Sequence, residues 1–274
     1  MPKRKRPQRP AKMGRNWTFN ELNAYNIRIT TVDTNTFFGI SELPAPVVSP
    51  VILNHATAPA GLELSYGDDI FFRSLHLTTL DDWVERDFAF HLLGPVLEIQ
   101  TYGRLQRRLP KFPFVMNERR VYATPNASMQ DQDDYLIMIV EAETVSFPLL
   151  PCGRASLTPT KTSGDREEPR LVADALAAFT ADNKRRTDAG LPPIPSKRYI
   201  GLSMIRSAPR LYKITITQAL LNAVVTFQLP AEETIIERFI PPVPNMDNFF
   251  VEGMMSLENR YICLQCFEAL KGLL

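Results

Sequence analysis

The sequence predicts an α/β protein in which helices flank a mixed sheet, and three observations carry that expectation. Tyr135–Val140 is an unbroken apolar run of strand length, as a central strand buried on both faces requires. Two segments, 80–93 and 168–186, repeat apolar residues at helical spacing. Alternating, β-branched segments fall around them, so the order helix, strands, helix, strands fits a sheet covered by helices. With 274 residues, 45% of them hydrophobic, the chain can bury a sizeable core without disulfides.

The elements follow in order. Residues 1–16 read as a disordered basic tail and 17–274 as a single domain. Thr18-x-x-Glu21 is a capping-box pattern that opens a short helix through about Ala24. Ile27–Val32 alternates as a strand does. Pro44, Pro46, Pro50 and Pro59 make 43–61 an extended surface linker in which helix is not expected. Leu80–Leu93 is a helix, with Asp81 and Asp82 at its positive end, a Val84, Phe88, Leu92 stripe, and a stop at Gly94-Pro95. Leu97–Tyr102 reads as a short strand before a basic stretch.

Arg119–Met129 reads as one strand broken locally by Pro125, then 130–134 as a polar turn. The central strand ends in Glu141-Ala142-Glu143, and the period of two puts both glutamates on one face. Residues 151–167 read as a flexible loop. Glu168-Pro169 opens a helix packed through Leu171, Ala175, Ala178 and Phe179. A hairpin over Tyr199–Ile205 and Leu211–Thr217, a helix over Gln218–Val225 and a strand over Thr234–Phe239 come next. A closing helix over Gly253–Leu270 turns Leu257, Tyr261, Leu264 and Phe267 inward.

Charge is uneven. Residues 1–15 carry seven basic side chains and no acid, which leaves 24 basic and 30 acidic residues, a net of −6, in 16–274. Lys3, Arg4, Lys5 and Arg6 form a run that reads as a nuclear-localisation signal or a nucleic-acid arm, or simply as a solubilising tail. Arg104, Arg107, Arg108 and Lys111 are further candidates for phosphate contact, a solvated loop being the alternative. Three cysteines, no apolar leader and no membrane-length apolar run point to a reducing, intracellular setting, nucleus or cytoplasm, with no membrane partner. Cys263-x-x-Cys266 has no second pair, so core packing is expected there instead of zinc. No glycine-rich phosphate loop or nucleophile elbow is present, and no small-molecule cofactor is expected.

From about Leu80 to Phe179 the layout resembles the PD-(D/E)XK nuclease family, in which a strand hairpin carries an acid and then Glu-x-Lys. The chain also looks like a group of uncharacterised proteins from mushroom-forming fungi over the segments from Trp17 to Ile27, Glu168 to Phe179 and Leu211 to Thr217. That resemblance implies a restriction-endonuclease-like core with N- and C-terminal helical extensions. It places Asn126 at the hairpin acid, Glu141 at the family's glutamate and Glu143 where the lysine belongs. In an active member two carboxylates hold Mg²⁺ and the lysine activates water. An anion in place of the lysine removes that group and adds like-charge repulsion.

Two readings follow. In the first the chain is a degenerate nuclease fold, a pseudoenzyme that binds nucleic acid or a nuclear protein. In the second it is a divergent Mg²⁺-dependent nuclease whose metal ligands are Glu141, Asp134 and Asp87. Lys161 is a possible stand-in for the lysine in that second reading, whereas Arg170 pairing with Glu141 or Glu143 fits the first. The structural alternative for Glu141 and Glu143 is a solvated strand end.

Overall fold

The computed structural model describes residues 10–79, 85–99, 103–133, 135–143 and 166–274. Order begins before Trp17, which corrects the boundary of the basic tail. A 3₁₀ turn at Gly14–Asn16 threads the chain between Ala123 and Ala173, where a Cβ on Gly14 would stand 3.0 and 3.3 Å from their methyl groups. Lys12 pairs with the buried Glu21 at 2.6 Å. Glu21 also closes the expected capping box with Thr18, starting α1 (Phe19–Ala24).

Strand β1 (Ile27–Thr31) follows, then α2 (Thr34–Phe38), capped by Asp33. The proline-rich stretch is not helix-free. Pro50 occupies the first turn of α3 (Pro50–Asn54), where a missing N–H costs nothing, and Ser49 caps it. Helix α4 (Tyr66–Leu77) has no counterpart in the sequence reading; Ser65 starts it by accepting the Asp68 N–H at 3.1 Å. Helix α5 (Glu85–His91) does not stop at Gly94-Pro95. It widens into a π-helical turn, Leu92–Val96, in which Leu97 N–H reaches Leu92 C=O at 2.9 Å. Leu97–Ile99 is not strand, and the start of the expected helix (80–84) lies outside the described residues.

The edge strand β2 (Leu105–Arg108) precedes β3 (Phe112–Met116) and β4 (Arg119–Ala123). Pro125 separates β4 from β5 (Ala127–Gln130) so completely that they join different sheets, where one strand was expected. The long central strand is β6 (Leu136–Glu143); 144–165, which includes most of the flexible loop expected over 151–167, lies outside the described residues. Then come α6 (Glu167–Asp188), β7 (Ser196–Ile205), β8 (Ala208–Thr217), α7 (Gln218–Thr226), β9 (Thr234–Phe239), α8 (Met246–Glu252) and α9 (Leu257–Lys271). Among the described residues no helix is long and apolar enough to cross a membrane.

Seven of the described strands form one mixed sheet in the order β1-β9-β8-β7-β6-β5-β2, and β3–β4 is a separate hairpin. β6 runs parallel to β7, and β1 parallel to β9, while the remaining neighbours are antiparallel. One face of the sheet packs Met138, Val140, Leu202 and Leu211 against residues of α2–α5, α8 and α9. The other face packs Ile139, Tyr199 and Ile214 against α6. The hairpin lies on the far side of that helix through Phe112, Phe114 and Met116. Every residue from Leu171 to Phe179 is therefore buried, and all of them but Asp174 are apolar, as such a position needs.

The closing helix is shorter than expected, and its inward face differs. Tyr261 is exposed, whereas Arg260 is fully buried and donates to the carbonyls of Ile52, His55, Ala56 and Met254 at 2.6–3.0 Å. Five N–H groups in a fixed fork let one side chain tie α3 and its sequel to α9. Cys263 and Cys266 are both buried in this core, and burial pushes their thiols up.

Gly253 joins α8 to the turn before α9 at φ +50°, ψ −131°, a conformation that side chains resist. A Cβ there would collide with Ser207 Oγ and stand 2.9 Å from Ala208 N, at the β7–β8 turn. Gly253→Ala is expected to lower unfolding free energy by about 2 kcal/mol, read as a shifted urea midpoint at constant slope.

Candidate functional site

Strand alternation settles what faces what around Glu141. Met138, Val140 and Ala142 point into the core shared with α5 and α9, so Ile139 and Glu141 point toward α6. Two turns into α6, Asp174 meets Glu141, and the two carboxyls are 2% and 4% exposed. Burial is the main cause that lifts the Asp174 pKa well above its usual range. The neighbouring charge of Glu141 and a hydrogen bond between the two carboxyls add to it, and Arg170 opposes it. The two buried carboxyls therefore titrate as a pair with a proton held between them. This is a paired-acid arrangement in which one proton removes the repulsion.

Asn126 sits just before β5, opposite Glu141 in the extension of the Ala127↔Val140 register. Its side-chain oxygen accepts the Ala142 N–H at 2.8 Å, and its main-chain carbonyl accepts the Leu109 N–H at 3.0 Å. The amide therefore continues the ladder where the β5–β6 pairing ends. Glu143 closes β6, on the same backbone face as Glu141; its side chain, Asp134 and Lys161 lie outside what is described.

Asp87 is elsewhere. It belongs to α5, on the opposite side of the sheet from Glu141, and its carboxylate pairs with Arg108 at 3.0 Å in solvent. A site combining Asp87 with Glu141 is thereby corrected: the sheet itself separates them. Among the described residues no group of three or more His, Cys, Asp or Glu side chains is placed to hold a metal ion. Arg170 donates through Nε to the Arg15 carbonyl at 3.2 Å, and its charge is felt at Asp174.

A second set of groups on the same face has no local sequence signal. Arg238 donates to Glu168 at 2.8 Å, Tyr212 OH donates to the same oxygen at 3.0 Å, and Ser203 Oγ stands 3.4 Å from that hydroxyl. Ser203 is the β7 register partner of Glu141, so the network ends beside the paired acids. Burial, and then the charge of Glu168, push the Tyr212 phenol up, which keeps it a neutral donor. Glu168 and Arg238 also line an open cavity of about 450 Å³ with Asn23, Asn26 and Arg28. Glu168 had signalled only the start of a helix. No spacing in the sequence links residues on α6, β7, β8 and β9.

The expected basic stretch forms the rim of the sheet. β2 is its last described strand, and Arg107 and Arg108 are exposed along it, with Arg104 half-buried. Arg107 reaches the Gln130 side chain at 3.4 Å, and Arg108 stacks 4.0 Å above the Phe90 ring. Lys111 lies 4.2 Å above the Tyr122 ring. Residues 103–123 hold six basic side chains against the single acid Glu118. Lys3, Arg4, Lys5 and Arg6 lie outside the described residues. No protein-family model matches the chain, and no curated protein matches its sequence.

The paired acids carry a signature in pH. A carboxyl whose folded pKa is raised binds its proton more tightly when folded. Its contribution is whole below the unfolded value and is lost as pH rises through the folded one. Unfolding free energies of wild type and Asp174→Asn, measured from pH 4 to pH 8, should diverge steadily, with the wild type losing stability relative to the variant. A constant difference across that range rules out the buried proton.

Proposed function

We propose that this chain is a PD-(D/E)XK-type fold whose catalytic set has become structural, and that it acts by binding nucleic acid, with the nucleus as its site of action. The order of elements supports the fold: α5, the β5–β6 hairpin, α6 packed on the sheet, then β7 parallel to β6. The degenerate chemistry is supported by Asn126, held by a backbone N–H, and by Glu141, buried against Asp174 so that the two carboxyls titrate as a pair.

The observation that carries the binding reading is the cationic rim. A body with a net of −6 over 16–274 nonetheless gathers six cations in 21 consecutive residues along one sheet edge and its adjoining hairpin. Phosphate affinity depends on such clustering and not on the total charge.

Fluorescence anisotropy with labelled DNA and RNA oligonucleotides at several salt concentrations tests it. Binding should weaken with salt, and the combined variant Arg104→Ala with Arg107→Ala should lower the logarithmic salt slope by about 1.5 to 2. Incubation with Mg²⁺ or Mn²⁺ should leave the oligonucleotide intact. Cleavage that Glu141→Ala abolishes would establish the Mg²⁺-dependent nuclease instead, and absence of binding at low salt would remove the nucleic-acid reading.

A further inference from the structure

The hairpin beyond the rim has two unlike faces. Inward, Phe112 faces Ala123 and Phe114 faces Val121, all buried against α6. Outward, the cross-strand pairs are Pro113↔Tyr122 and Val115↔Arg120, all at least partly exposed. Lys111 Nζ stands 4.2 Å, and the Arg120 guanidinium 5.5 Å, from the centre of the Tyr122 ring. Lys111, Arg119 and Arg120 are exposed.

This surface is held rigid. Asn117 and Glu118 form the turn at φ +50° and +60°, both positive as a tight hairpin turn of this kind requires. Their N–H groups donate to the Val224 and Val225 carbonyls at the end of α7, at 3.1 and 2.9 Å. Tyr25 OH donates to Asn117 Oδ1 at 3.3 Å. Pro113 has no N–H to offer, which discourages further strands from adding to this edge.

We infer that the outer face of the β3–β4 hairpin is a stacking platform for single-stranded nucleic acid, centred on Tyr122 and flanked by Lys111 and Arg120. This deepens, and rests on, the nucleic-acid reading above. An aromatic ring beside a proline offers a base a flat apolar seat, and cations to either side meet the phosphates that follow it. Lys111 and Arg120 lie against the ring in the free protein. Both are long and exposed, so an arriving base takes the ring while they turn to the backbone. A duplex keeps its base faces stacked inside and cannot use the ring. An acidic protein matches the charge but has no repeating flat group to alternate with it.

The test uses the full chain, a labelled 20-nucleotide oligothymidylate and a 20-base-pair duplex in anisotropy titrations at fixed salt. The single strand should bind more tightly. Tyr122→Ala should weaken it about tenfold with the duplex unaffected and the salt slope unchanged, while Tyr122→Phe retains most affinity. Photocrosslinking of 5-iodouracil-substituted oligonucleotide to wild type should place the adduct within 111–122, independently of how any variant folds. Equal binding of both forms, no effect of Tyr122→Ala, or adducts only elsewhere would overturn the platform and leave the cationic rim standing. Competition by polyglutamate at equal charge would replace it with an acidic protein. Failure of both oligonucleotides to bind at low salt would remove both readings.

Discussion

Most of this structure depends on one helix being buried on all sides. With the sheet on one flank and the β3–β4 hairpin on the other, α6 has no solvent face between Leu171 and Phe179. Small side chains, Ala173, Ala175, Ala177 and Ala178, let both neighbours approach closely, and Gly14 lets a third segment in. Every polar group on such a helix must find its partner in protein. Asp182 takes the Leu136 N–H, Lys197 at 2.6 Å and Tyr199 OH at 2.9 Å. Asn183 Oδ1 accepts the Ile194 N–H at 2.8 Å. Glu168 and Asp174 bind the networks already described. These obligations fix how the helix is set against β6, β7 and β8, because an unmet buried acceptor costs about 1–3 kcal/mol.

The same burial changes what the acids on that face can do. A carboxylate that is to hold a divalent ion needs open coordination and a second charge. Glu141 is buried against Asp174, on a strand whose end is tied to Asn126. The cations, by contrast, lie at the rim and on the hairpin's outer surface, away from the covered face of the sheet. The buried acidic centre and the exposed basic border are separate parts of the molecule.

How far this was legible in the sequence varies with the range of the interaction involved. The capping box of Thr18 and Glu21, the apolar run of β6 and the β9 strand are local signals, and they name their elements directly. Helix α4 opens with Tyr66-Gly67, which has the look of a turn. Helix α3 is hidden by prolines whose placement at a helix start only the cap at Ser49 reveals. Periodicity shows that Asp87 lies on a helix but cannot say which face of the sheet that helix will cover. Arg260 was missed for a related reason: a cation at helical spacing reads as solvated unless the four carbonyls it meets are known. The Glu141–Asp174 contact and the Arg238–Glu168–Tyr212 chain join elements far apart in the sequence, so tertiary structure alone brings them together.

The parallel pairing of β1 with β9 sets the order of assembly. Ile27 lies opposite Thr234, with Arg28 bound to Glu233 and Arg238 to Thr31 across the same seam. During synthesis β1 therefore lacks this ladder partner until β9 has been made. The outer seam of the sheet closes only when Thr234–Phe239 has emerged. Contacts of such sequence separation form late and slowly, since the intervening loop must be closed before they contribute. Until then both β1 and the open side of β8 are exposed strand edges, and the interval before β9 arrives is when the nascent chain is most open to pairing with a neighbour.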